Sequence, residues 1–203
     1  ENRWRAPQPV EPWAGVRAAT AHEPPCAQPV DTDTTVANFG GGNGAQSEDC
    51  LYLTITAPEN AQGAPVLVWF HGGAFFLGAG SLGSYDGTAN AQQGVITVSV
   101  NYRLGALANF VHPALDAQHP DEPQGNYALQ DAVAVLEWVR DNIAAFGGDP
   151  ARVLVYGQSG GGAKTSVLMA MPGGKGLFHR AGVMSGSALR MMPPEMATGT
   201  AKR

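Results

Sequence analysis

The sequence predicts an α/β protein whose mostly parallel central sheet is flanked by helices. Three observations carry this. Short β-branched, almost wholly apolar runs recur at PVLVWF (65–70), VITVSV (95–100) and RVLVY (152–156); such runs suit strands covered on both faces, as parallel sheets require. A long amphipathic helical pattern fills the space between two of them, giving the strand–helix–strand alternation of right-handed crossovers. Glycine-bearing segments follow each of the three strands, and in a parallel sheet the ligand site lies beyond the carboxyl ends of the strands.

Residues 1–47 are rich in Pro, Gly and small polar residues and read as extended and loop structure, with GGGNG at 40–44 as an exposed flexible run. LYLTITA (51–57) alternates and reads as a half-buried strand. Then come the strands at 65–70 and 95–100. From Asn126 to Phe146 the residues Leu129, Val133, Leu136, Val139 and Ile143 fall on one helical stripe. That helix ends in GGDP, where Gly147 can turn left-handed and Pro150 bars continuation. RVLVY is the next buried strand, GGAKTSVLMAM a short helix and AGVMSG (181–186) a further strand.

The charge balance, 12 Lys+Arg against 17 Asp+Glu with no basic cluster, argues against a nucleic-acid or anionic membrane partner. No apolar run approaches the roughly 18–20 residues that span a bilayer, and the polar, proline-rich start ENRWRAPQPVEPW carries no signal-peptide pattern. The two cysteines, Cys26 and Cys50, allow one disulfide or two buried thiols.

The chemistry hinges on VLVYGQSGGGAKTS (153–166). As a phosphate loop it fails: Gly157 and Gly162 have the right separation, but Ala163 separates Gly162 from Lys164-Thr165. One added residue at a helix start turns a side chain by about 100°, so the lysine would not bend back onto a phosphate. As G-x-S-x-G, the run Gly157-Gln158-Ser159-Gly160-Gly161 fits without adjustment. A strand-to-helix turn this tight holds the serine in a strained conformation with its hydroxyl exposed, and small residues two before and two after it avoid clashes. The free N–H groups and positive dipole end of the following helix suit a developing oxyanion. His71-Gly72-Gly73 directly follows the strand 65–70 and can bring further N–H groups to the serine. The predicted oxyanion donors are Gly73, Ala74 and Gly160, supported by Gly157, Gln158, Gly161, His71 and Gly72.

With these motifs in view, the chain resembles the type-B carboxylesterases, the α/β-hydrolase family that includes the cholinesterases. The resemblance runs in order through RWRAPQPVEPW, SEDCLYL (47–53), VWFHGGAF (68–75), NYRLG (101–105), QGNYALQDAVAVLEWVRDNIAAFGGDP, the GQSGG turn and FHRAGVMSGSAL (178–189). It implies a partial α/β-hydrolase fold lacking its C-terminal strands. It also implies hydrolysis of a small-molecule ester through an acyl-enzyme on Ser159, with no metal and no organic cofactor. It implies a Cys26–Cys50 disulfide and a structural ion pair between Glu48 and Arg103. The cysteine pairing favours a secreted or periplasmic setting, without fixing the localisation. Residues 1–50 would form a loop-rich edge, 51–189 the sheet with its two glycine loops, and 190–203 a truncated helix or linker.

The sequence departs from the usual G-E-S-A-G at Gln158 and Gly160, which removes a negative charge beside the nucleophile. Between Cys26 and Cys50 there is no Trp or Tyr and only Phe39, so the aromatic that holds choline in cholinesterases lacks a counterpart. A neutral, fairly apolar ester is the expected substrate. The triad order of this fold is Ser, then Asp or Glu, then His; after Ser159 only His179 and Glu195 follow, in reverse order. His22, His71, His112 and His119 precede the serine in loop sequence. The expectation is an internal fragment of a longer esterase, inactive without the remainder that completes the triad. A non-catalytic, cholinesterase-like binding module is the competing expectation.

Overall fold

The computed structural model describes residues 2–29, 45–122 and 124–201; the GGGNG run and Phe39 lie outside them. Five strands form one sheet in the order β1-β3-β2-β4-β5, where β1 is Leu53–Thr56, β2 Ala64–Phe70, β3 Ile96–Val100, β4 Gly148–Gln158 and β5 Arg180–Met184. β1 runs antiparallel to β3, and every other pairing is parallel. The helices are α1 (Thr88–Gln92), α2 (Gly105–Asn109), α3 (Pro113–Gln118), α4 (Tyr127–Asn142), α5 (Gly160–Ala170) and α6 (Pro194–Ala201).

The strand register places the site. Phe70 pairs with Val100 on one side and with Gly157 on the other, and Gln158 pairs with Met184. The carboxyl ends of β2, β3, β4 and β5 are therefore level, and the loops leaving them start along one edge. The core beneath is apolar: Val66, Val68, Phe70, Ile96, Val98, Val100 and Val155 are all buried and pack with Ala132, Leu136, Val139 and Ile143.

Two elements differ from the sequence reading. The buried stripe of α4 is turned towards Ala128, Ala132, Leu136 and Val139, leaving Leu129 and Val133 half-buried at its flank. The helix then tightens into a 3-10 turn, Ile143–Phe146, which Gly147 closes at φ 80°. β4 begins at Gly148, before RVLVY. Its register to β2 shifts between Ala64 and Val66, so Pro150 occupies the irregular stretch where no ladder N–H is required. The apolar run of β5 is largely exposed at the end of the sheet, in line with the expectation of a sheet lacking its C-terminal strands.

The disulfide between Cys26 and Cys50 is formed, with Cα atoms 4.9 Å apart. The expected Glu48–Arg103 ion pair is not. Glu48 lies half-exposed and takes the Arg3 guanidinium. Arg103 instead turns inward to Asp131 on α4: Nε donates to Oδ2 at 2.9 Å and Nη2 to Oδ1 at 2.6 Å, while the Arg103 backbone N–H reaches Oδ2 at 3.0 Å. A buried fork of donors needs a carboxylate that accepts on both oxygens, and Asp131, 2% exposed, offers one. A third donor, Nη1, reaches the Arg5 carbonyl at 2.7 Å.

Candidate active site

Ser159 sits alone between β4 and α5 at φ 54°, ψ −118°. A non-glycine residue at positive φ is held there only where its surroundings dictate it. Two hydrogen bonds do so: the Ser159 N–H donates to the Met184 carbonyl at 2.8 Å, and the Ala163 N–H to the Ser159 carbonyl at 2.9 Å. The flanking glycines are required by close approach. A Cβ on Gly161 would lie 1.9 Å from the Phe70 carbonyl oxygen, and one on Gly157 2.4 Å from the Gly161 carbonyl carbon. Two crossings of backbone thus touch directly beneath the serine. Among the described residues no side chain hydrogen-bonds the Ser159 hydroxyl.

The second crossing is the loop after β2. Gly73, Ala74 and Phe75 have consecutive φ values of 113°, 50° and 69°. The turn is closed by the N–H groups of Phe76 and Leu77 donating to the Gly73 carbonyl at 3.1 and 2.9 Å. Among the described residues no hydrogen bond takes the N–H of Ala74 or Phe75. Both nitrogens lie beside the helix start: a Cβ built on Gly160 would lie 3.5 Å from the Ala74 nitrogen and 3.4 Å from that of Phe75. Gly160 opens α5, so its own N–H has no acceptor inside the helix. The sequence reading does not single out Phe75, since an aromatic side chain gives no hint that its amide is free. Gly72 also faces the elbow, its Cβ position lying 3.4 Å from the Ser159 Cβ and 2.9 Å from the Gln158 Oε1.

His71 lies under this loop and is fully buried. Its Nδ1 is 2.7 Å from the Gly72 carbonyl, so it is the protonated nitrogen, and the ring stacks on Tyr102 at 4.2 Å. The Tyr102 hydroxyl donates to the His71 carbonyl. Burial holds the imidazole down to about 3, so it stays neutral. Its place is that of a strut. Three of the other four histidines are engaged away from the elbow: His22 with Thr54, His112 capping α3 at the Ala114 N–H, and His179 against the Val153 N–H; His119 ends α3. Lys164 departs from phosphate-loop geometry: its amine lies over the rings of Tyr102 and Phe75, and the neighbouring Thr165 hydroxyl donates to the Gly161 carbonyl. No group of three or more His, Cys, Asp or Glu among the described residues could hold a metal ion, and no described helix is long and apolar enough to cross a membrane.

Ser159 at positive φ thus lies beside a second glycine crossing that carries unpaired backbone amides. The sequence profile of the Carboxylesterase family matches residues 1–201. The chain belongs to the carboxylesterase family. It is 45% identical to the para-nitrobenzyl esterase of Bacillus subtilis (strain 168), over 98% of this chain and 39% of that protein. It is 41% identical to the fumonisin B1 esterase of Sphingopyxis macrogoltabida, over 88% of this chain and 33% of that one. Among solved structures, a PNB esterase superposes with a TM-score of 0.87 at 46% identity, covering 98% of this chain and 40% of that chain. The fold is that of the α/β-hydrolase carboxylesterases in part, since the chain spans about two fifths of the length of these relatives.

Proposed function

We propose that this chain carries the nucleophile and oxyanion hole of a serine carboxylic-ester hydrolase. The observation that carries the reading is Ser159 at positive φ, with the unpaired amide nitrogens of Ala74 and Phe75 beside Gly160. The Ser159 oxygen attacks the ester carbonyl carbon. The negative charge arriving on the carbonyl oxygen is met by N–H groups of Gly73, Ala74 and Gly160, with Phe75 beside them. These donors are fixed by backbone contacts and need no reorganisation when charge develops. The alcohol leaves, and water then hydrolyses the acyl-enzyme.

Serine needs a general base, and among the described residues no histidine hydrogen-bonds Ser159. In this reading the base and the carboxylate that orients it come from the remainder of an esterase chain. The 203 residues alone then retain only the residual rate of an oxyanion hole and binding.

The substrate is read as a neutral, fairly apolar ester. Phe75 and Phe76, each 46% exposed, flank the loop beside the elbow, and Gln158 places no charge there.

Treatment of the intact protein with paraoxon, followed by peptide mass spectrometry, tests the reading. One adduct on Ser159, absent from S159A, is the expected result. A folded intact protein that takes no adduct there overturns it. Hydrolysis of a choline ester well ahead of an uncharged ester of equal acyl length would overturn the substrate class alone.

A further inference from the structure

One buried group has no part in the proposed chemistry. Lys164 lies on the second turn of α5, five residues beyond Ser159, and is 3% exposed. Its Nζ has no hydrogen-bond partner among the described residues. An amine is costly to bury without a partner. What surrounds it is aromatic: Nζ is 4.1 Å from the ring centroid of Tyr102 and 4.6 Å from that of Phe75. Both distances are those of cation–π contacts.

The two rings belong to different parts of the site. Tyr102 follows β3 and is fixed by its stack on His71 and its bond to the His71 carbonyl. Phe75 belongs to the strained oxyanion loop. Its backbone is tied by the Gly105 N–H donating to its carbonyl at 2.8 Å, yet its side chain is 46% exposed, so burial alone does not hold the ring. The same ring lies against the elbow: a Cβ on Gly160 would meet the Phe75 Cδ1 at 3.6 Å. Lys164 thus stands beneath a ring that borders the nucleophile, on the helix whose first amide faces the same space.

We infer that Lys164 is a positioning residue that clamps Phe75 against Tyr102 and so holds the amide nitrogens of Ala74 and Phe75 in place beside Gly160. The inference rests on the ester-hydrolase reading. The groups facing the amine supply no counter-charge: His71 is neutral and Tyr102 keeps its proton, because burial raises it well above its ordinary value. The rings are therefore the amine's electrostatic partners. Burial pushes Lys164 itself down to about 7, so the amine is charged, and its contacts with the rings are cation–π contacts, below about that pH.

The test is run at pH 6, where the amine is charged, and uses the intact protein, p-nitrophenyl acetate as the neutral ester, and the variants K164M, F75L and the double variant. Methionine keeps the length and apolar stem and removes the charge. Each variant is first titrated with paraoxon, so that kcat is expressed per labelled serine. K164M is expected to lower kcat on the order of tenfold, as loss of a desolvated cation–π contact would, with KM within about twofold. F75L should do the same, and the double variant should be no slower than the worse single one, since both remove one contact. An unchanged kcat in K164M, or a double variant whose loss is the product of the single losses, overturns the inference. Where K164M does not fold, F75L, altered at a half-exposed ring, decides by the same criterion. If the wild-type protein takes no label at Ser159, the ester-hydrolase reading fails and the inference falls with it. If it is labelled normally and the variants match it in kcat, the inference alone fails.

Discussion

The two glycine crossings at the top of the sheet reach unusual backbone conformations by opposite means. At the elbow the constraint is backbone on backbone: Gly157 and Gly161 leave no room for a methyl group because main-chain atoms of residues 70, 71 and 161 occupy it. At the loop after β2 the constraint is side-chain support. His71, Tyr102 and Lys164 form a buried stack below it, and Arg103 with Asp131 fixes the segment that carries Tyr102. A site built from one rigid and one propped crossing should fail differently when each is cut. The elbow should fail outright, and the loop by degrees.

The largest effect is expected from G161A. Its Cβ would lie 1.9 Å from the Phe70 oxygen and 2.6 Å from the His71 oxygen, and neither main-chain atom can yield without breaking the β2–β4 register. A loss beyond about 4 kcal/mol, the range reserved for severe overpacking or strain, should leave little folded protein by circular dichroism. A G161A variant with near-wild-type thermal stability would show that the crossing is soft.

Next comes the foundation of the propped side. Asp131 accepts three donors from Arg103, two from its guanidinium and one from its backbone. D131A leaves a guanidinium, 10% exposed, without its carboxylate, and breaking one partner of a buried pair costs about 3–5 kcal/mol. Urea unfolding measures this. A loss below about 1 kcal/mol would put the pair in the class of surface bridges such as Arg140–Asp141.

How much of this could be read in the sequence follows the same division. The elbow was legible because its causes are local: a G-x-S-x-G between an apolar strand and a helix leaves few other conformations. The propped crossing was legible only in part. HGG marks a turn, but nothing local to Phe75 says that its amide stays free, and nothing local to Lys164 says that its amine turns to two rings. The partner of Arg103 was assigned to Glu48, 55 positions back, whereas Asp131 on α4 looked like an ordinary polar residue of an amphipathic helix. Which carboxylate an arginine meets depends on how α4 rotates, and that rotation, one position off the expected stripe, is set by tertiary packing. β5 is the contrary case: a sheet expected to lack its C-terminal strands leaves this run at an edge, and Arg180, Ala181 and Met184 are exposed.

A smaller effect separates the strut from the carboxylates. Folded protein keeps His71 neutral down to about pH 3, because burial disfavours the charged ring, while the unfolded chain takes up a proton near its ordinary value of about 6.5. Between these values the unfolded state binds more protons, so stability is fully present above about pH 6.5 and falls as the pH drops. The slope is about 1.4 kcal/mol per pH unit for one proton. The paired carboxylates Glu48, Glu122, Asp86 and Asp141 are all lowered by their hydrogen bonds, and they contribute only once the unfolded chain's carboxyls begin to protonate, near pH 4.5 and below. Urea midpoints between pH 6.5 and 5 therefore isolate the histidine. A flat line there would mean that His71 gains a proton in the folded state.

The smallest effect is the sharpest test of where the rigidity of the elbow ends. Gly160 sits between Ser159 and Gly161, yet its Cβ position meets Phe75 N at 3.4 Å, Ala74 N at 3.5 Å and Phe75 Cδ1 at 3.6 Å, all at or near ordinary van der Waals contact. It opens α5 and is absent from the residues with positive φ. G160A should therefore be tolerated, and the reduced freedom of alanine in the unfolded chain should offset any crowding, leaving stability within about 1 kcal/mol of wild type. Paraoxon labelling of Ser159 should persist, because the residue 160 N–H is unchanged. Adjacent glycines would then differ by at least several-fold in free-energy cost, with the boundary between locked and adjustable backbone falling between residues 160 and 161. If G160A instead unfolds the protein as G161A does, the loop after β2 is as unyielding as the elbow, and the distinction between a rigid and a propped crossing is lost.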